Sequence, residues 1–155
     1  MSLEQDLQKE RVIHLDVSHF IAIPSGTSVR DTIEEMRRQK LNCAIITKDG
    51  AIIGIFTDRD MLRKVVTAPD TWDAPIDIVM TPSPTTVKAN DQANTAMELM
   101  DEHHFRNVPV LDSTGAMIGN LTHYAVIKYL ADRFPESVYN LPPHPDRVTR
   151  KRDGA

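Results

Sequence analysis

Thr57, Arg59 and Asp60, within Gly54-Ile55-Phe56-Thr57-Asp58-Arg59-Asp60, have the types and spacing to hold a phosphorylated sugar. The apolar residues before them read as the end of a strand. Met61, Leu62, Val65 and Val66 after them read as the apolar side of a helix. The first N–H groups of a helix lack internal partners and carry the positive end of its dipole, so such a junction suits a phosphate. Thr57 adds a hydroxyl and Arg59 a charged fork. The Asp60 carboxylate can accept from both vicinal hydroxyls of a ribose. Gly54, without a Cβ, permits a strand bend or the close approach of another group. The same residues have a second reading. Thr57-x-x-Asp60 is close to a capping box, and helix capping worth about 1 kcal/mol would account for both side chains.

An internal duplication gives that junction a context. Ile23-Pro24-Ser25-Gly26-Thr27-Ser28-Val29 opens a helical pattern with Val29, Ile33 and Met36 on one face. At an offset of 64 residues stand Val87, Ala93, Met97 and Met100, with the same apolar spacing. Short apolar runs follow, Cys43-Ala44-Ile45-Ile46 and Val108-Pro109-Val110-Leu111. Each ends in a hairpin signal, Lys48-Asp49-Gly50 or Asp112-Ser113-Thr114-Gly115. The second turn is one residue longer. Beyond it the offset becomes 65, and Gly54-Ile55-Phe56-Thr57 lands on Gly119-Asn120-Leu121-Thr122.

These patterns predict an α+β chain: two β-α-β-β-α repeats packed through their sheets about a pseudo-two-fold axis. Units of this size are marginal alone, which is why the copies should share a core. The expected divisions are a leading helix or arm over 1–16, a first repeat over 17–67, a linker over 68–78, a second repeat over 79–134, and a Pro-rich basic tail over 135–155, extended or disordered. The linker carries Trp72, expected to pin it to a core. Two helix starts related by the pseudo-axis would make paired pockets. At the second start, however, Thr122-His123-Tyr124-Ala125 keeps the hydroxyl and loses the carboxylate. The pocket headed by Asp60 is therefore the one expected to be occupied. His123 and Tyr124 read either as half-exposed helix-start residues or as groups reaching the first pocket, where His123 beside a phosphate would make occupancy pH-sensitive.

Several separated motifs resemble the CBS (cystathionine-β-synthase) domain family. Gly-apolar-apolar-Thr-x-x-Asp at Gly54–Asp60 looks like its closing signature. Ile78-Val79-Met80-Thr81-Pro82-Ser83-Pro84-Thr85-Thr86-Val87 resembles its opening, and Phe105-Arg106-Asn107-Val108-Pro109-Val110-Leu111-Asp112 its central strand. The likeness covers about Val17 to Arg133. It implies a paired module, a homodimer, that binds AMP, ADP, ATP, NAD or S-adenosylmethionine and regulates a partner protein in trans. It also implies site roles: Asp60 for the ribose, Thr57 on the phosphate side, and Ala22, Ile23, Asn42, Cys43 and Ala44 around the base with Ile55 packing on its face. Arg106 matches a position that reaches phosphate across the cleft. Thr122 and His123 are added as candidate ligand residues by their place at the second helix start, not by the resemblance.

Composition excludes other classes. The net charge of −4 and an aromatic content of 5% argue against nucleic acid. No apolar run approaches the roughly 18 residues of a membrane span, and no signal-peptide pattern opens the chain, so a cytoplasmic protein is expected. No metal site is expected, since His103 and His104 are adjacent and diverge by about 100° on a helix. Cys43 reads as a small core residue. No nucleophile elbow, Walker loop or paired acid–base set appears, so no catalytic residue is assigned. The alternative to a sensing module is a structural or dimerisation module without a physiological ligand.

Overall fold

The computed structural model describes residues 3–135, so most of the basic tail lies outside the described residues. A leading helix α1 (Leu3–Lys9) and a single helical turn at Val12–His14 precede the first repeat. That repeat runs β1 (Ile21–Pro24), α2 (Val29–Arg38), β2 (Cys43–Lys48), β3 (Ala51–Thr57) and α3 (Asp58–Asp60), which continues into a π-wound turn, Met61–Val65. After the linker come β4 (Thr81–Pro82), β5 (Val87–Lys88), α4 (Ala93–His103), β6 (Asn107–Leu111), β7 (Met117–Thr122) and α5 (His123–Arg133). Strand order is β1-β2-β3-β4 in one sheet and β5-β6-β7 in the other. Both follow one plan, a parallel pair joined through a helix and an antiparallel hairpin. The α+β duplication is thus present as expected.

Local chemistry repeats with the sequence. Both first helices end on a residue in the left-handed region, Lys40 and His104, each with φ of 55°. The next residue then donates back to a methionine carbonyl, Leu41 to Met36 and Phe105 to Met100, at 2.9 Å in each case. The hairpins differ as their lengths require. Asp49 and Gly50 both take positive φ, the geometry of a two-residue turn. In the longer turn the Asp112 carboxylate accepts from the Thr114 and Ala116 N–H groups.

β2 is covered on both faces, and its two sets of side chains serve different layers. Ala44 and Ile46 face the helices of their own repeat with Val29, Met36 and Phe56. Cys43 and Ile45 face the other way, with Ile55, and meet Met117 of the second sheet. Asn120, fully buried, ties the halves together by donating to the His19 carbonyl at 3.2 Å and to Asn107 at 3.1 Å.

The segment ahead of each repeat packs into the other one. Val12 and Leu15 are buried in the core of the second repeat, and Ile76 and Val79 in that of the first. The same hydrogen bond anchors each crossing: Val12 N–H to the Asp91 carbonyl, Ile76 N–H to the Thr27 carbonyl. Trp72 lies against the first core, with Arg30 over its ring. Where the crossing segments pass, a side chain would meet them: at Gly54 the flexible Met80 side chain would have to shift, and at Gly119 the Val17 backbone bars a Cβ. A Cβ on Gly54 would sit 2.2 Å from the Met80 sulfur, and one on Gly119 2.5 Å from Val17. These two glycines are equivalent in the duplication, and close approach rather than a strand bend is their use.

The arm is tied to α5 by Glu10. Its carboxylate accepts from the Tyr129 hydroxyl at 2.6 Å, from His14 at 2.5 Å and from Arg133 at 3.3 Å. The Tyr129 hydrogen bond, helped by His14, the Arg11 N–H and Arg133 against the opposing effect of burial, lowers its pKa to about 2. A carboxyl depressed in the folded state stabilises above its unfolded value and loses that contribution as pH falls toward 2. Acid should therefore weaken the fold between about pH 4.5 and pH 2, and a Glu10→Gln variant should lose that part of the dependence. Thermal melts of both proteins across that window would check it; parallel curves would remove Glu10 as the cause.

Candidate functional site

The junction after β3 is a helix start whose donors are already used. Thr57 takes an extended conformation and caps: the Asp60 N–H approaches its Oγ1 at 3.5 Å, and the Asp60 carboxylate accepts in return from the Thr57 N–H at 3.1 Å. The Asp58 N–H goes to the Asn42 carbonyl and the Arg59 N–H to the Asp58 side chain. The capping reading of Thr57 and Asp60 is therefore realised. Backbone donors at Asp58, Arg59 and Asp60 are engaged, so an anion here must be met by side chains.

Those side chains are present. A cavity of about 300 Å³ opens beside Asp60, lined on one side by Ile55, Thr57, Arg59 and Arg63 and by Thr81, Ser83, Pro84 and Thr85 at the opening of the second repeat. The opposite wall, His104 to Asn107, belongs to the second repeat. Three arginines, Arg59, Arg63 and Arg106, line this cavity together with Asp58 and Asp60. Asp60 is only 8% exposed, and its other oxygen accepts from the Thr81 hydroxyl at 3.0 Å and pairs with Lys64 at 3.0 Å. Burial, with the negative charges of Asp60 and Asp58 nearby, pushes the Cys43 thiol up to about 12.

Thr57, Arg59, Asp60, Ile55 and Arg106 are thus brought together. The other residues expected at the site lie elsewhere, with His123 the one exception. Ile23 lies in the first core, Cys43 and Ala44 are fully buried, and Ala22 is exposed on the edge strand β1. Asn42, Thr122 and His123 line a second cavity, of about 520 Å³, with Asp16, Lys40, Ala125 and Lys128. His123 also lines a cavity with Arg59, His104 and Arg106 of the first site. The physical reason is the facing of the two halves. The start of β6 in one repeat meets the helix start of the other, and the start of β2 does the same across the pseudo-axis. Residues ahead of β2 therefore serve the pocket of Thr122, not that of Asp60. Arg63, Thr81 and His104 were not anticipated. The duplication held the signal, because the stretch Thr81 to Thr85 leading into β5 is the counterpart of the segment leading into β1. The His123 Nδ1 is buried with no hydrogen-bond partner, and its ring meets Tyr124 edge-on.

Known proteins resemble this chain in sequence and fold. The sequence model of the CBS domain matches residues 12–67 and 76–132, two windows separated by the same offset as the duplication. The chain is 35% identical over 101 residues to the meiotically up-regulated gene 70 protein of Schizosaccharomyces pombe, covering 64% of this chain and 14% of that protein. It is 30% identical over 104 residues to arabinose 5-phosphate isomerase KdsD of Pseudomonas aeruginosa, covering 66% of this chain and 32% of the enzyme. The chain therefore spans a minor part of both relatives. The crystal structure of CBSX2 in complex with AMP aligns with a TM-score of 0.67 at 26% identity, over 79% of this chain and 96% of that one.

Proposed function

Given that this chain belongs to the CBS domain family, with two copies in tandem, we propose that it is a regulatory module sensing an adenine nucleotide in the cleft headed by Asp60. One observation carries the reading: a buried carboxylate and three arginines converge on a single cavity between the repeats. Asp60 would take the ribose diol, while Arg59, Arg63 and Arg106 would take phosphate. Three guanidinium groups favour AMP, ADP, ATP or NAD over S-adenosylmethionine, whose sulfonium they would repel. The twin cavity, with Ala125 in place of the carboxylate, would hold no ribose, so we read one nucleotide per chain.

Regulation needs a surface that another chain can read. Leu62 is 63% exposed and its counterpart Ile127 is 54% exposed, with Val66 and Tyr124 beside them. An apolar position exposed in both copies supports a homodimer formed through these helices, whose geometry the nucleotide would bias and a partner protein would sense. Catalysis is not part of the reading: the Cys43 thiol is buried and raised, which leaves it unreactive.

A structural module without a ligand is the second reading, and the complete internal pairing of Asp60 favours it. Isothermal titration with AMP, ADP, ATP, NAD and S-adenosylmethionine decides between them. The sensing reading expects binding below the millimolar range with a preference for the anionic nucleotides. Silence from all five would leave the structural module.

A further inference from the structure

We infer that Lys64 and Thr81 occupy the Asp60 carboxylate in place of a ribose, so that nucleotide binding must unfasten Lys64 from it. A carboxylate offers about four acceptor positions. Four donors already address this one: the Thr57 N–H at 3.1 Å and hydroxyl at 3.3 Å on Oδ2, the Thr81 hydroxyl at 3.0 Å and the Lys64 ammonium at 3.0 Å on Oδ1. The Thr57 pair belongs to the helix cap and holds the fold. The Oδ1 pair is the one that can yield.

Lys64 has a second bond, to the Val79 carbonyl at 3.0 Å. Its ammonium therefore joins three things: the helix that carries Leu62 and Val66, the backbone at Val79 just past the linker, and the site carboxylate. A diol on Oδ1 would leave the ammonium with the Val79 carbonyl alone, and the helix would lose one of its ties to the site. The duplication identifies these residues as a unit. At the positions equivalent to Asp60, Lys64 and Thr81 stand Ala125, Tyr129 and Val17, so all three members are missing together from the twin site. Tyr129 is spent instead on Glu10, at 2.6 Å.

This inference rests on the nucleotide reading of the cleft, and adenosine is the probe that separates the two. It carries the diol without a phosphate, so salt does not act on it through the arginines. Its affinity for the unaltered protein should rise with ionic strength, because salt weakens the Lys64–Asp60 pair with which it competes. Lys64→Met should bind adenosine roughly three- to tenfold tighter, with the salt dependence gone. Lys64→Gln, which can still donate to Val79, should do the same and guards against a folding defect in the first variant. Titrations of isotope-labelled protein followed by NMR would measure these affinities. Adenosine affinity that is flat or falling with salt, or no tighter in either variant, overturns the fastening while AMP binding stands. If neither AMP nor adenosine binds any of the three proteins, the nucleotide reading fails and the fastening with it.

Discussion

Val12→Ala combined with Leu15→Ala is expected to unfold the second repeat and spare the first, although both substitutions lie ahead of the first. Val12 is fully buried and Leu15 nearly so, and both belong to the cluster with Val87, Ala96, Val108, Val110 and Leu121. Truncating a buried leucine to alanine costs about 2–5 kcal/mol, and the valine adds to that. Against a total stability of about 5–15 kcal/mol, the loss approaches what one small domain holds. Hydrogen exchange would locate the damage. Protection should fall across β5, β6 and β7 and persist across β2 and β3. The reciprocal pair, Ile76→Ala with Val79→Ala, should reverse the pattern. Uniform loss over both sheets would mean that the cores do not respond separately.

The second large effect is expected at Asp60. An Asp60→Asn variant keeps the shape of the side chain and one acceptor oxygen, but loses the charge that faces Lys64 and the second acceptor. Nucleotide affinity should fall at least tenfold, the scale of a lost charge-assisted pair of hydrogen bonds. Stability should fall by only about 1 kcal/mol, since the asparagine can still accept from the Thr57 N–H. Titration calorimetry beside a thermal melt gives both numbers. Affinity unchanged with lowered stability would leave Asp60 as a cap alone.

Much of the fold was legible because its signals are local. The 3.6-residue spacing of Val29, Ile33 and Met36, the Asp49-Gly50 turn and the surviving offset all report on nearby chain. The exchange of Val12 and Leu15 for Ile76 and Val79 was not legible. Apolar spacing says that a side chain is buried, and nothing in it says under which sheet. The candidate site divides along the same line. Thr57, Arg59 and Asp60 sit on one turn, so their association follows from sequence. Arg63 joined them through the π-wound turn, whose register periodicity does not foretell. Arg106 was found by resemblance, whereas Thr81 and His104 depend on which loop the pseudo-axis brings across. Asn42 separates from them for that reason: it adjoins Thr57 through the strand pairing at Cys43 and yet lines the opposite cavity.

The exchanged segments also bear on how such a chain can be divided. Cut in the linker near Pro69, the molecule would give two fragments, each lacking two core side chains and each presenting two that fit only the other. Neither piece would be a self-sufficient domain, whereas a mixture of the two should reassemble. A chain holding one repeat would meet the same need by lending its arm to a second identical chain. The covalent pair is thus the intramolecular form of a swapped dimer, in which the linker has replaced an encounter between two molecules by a tether within one.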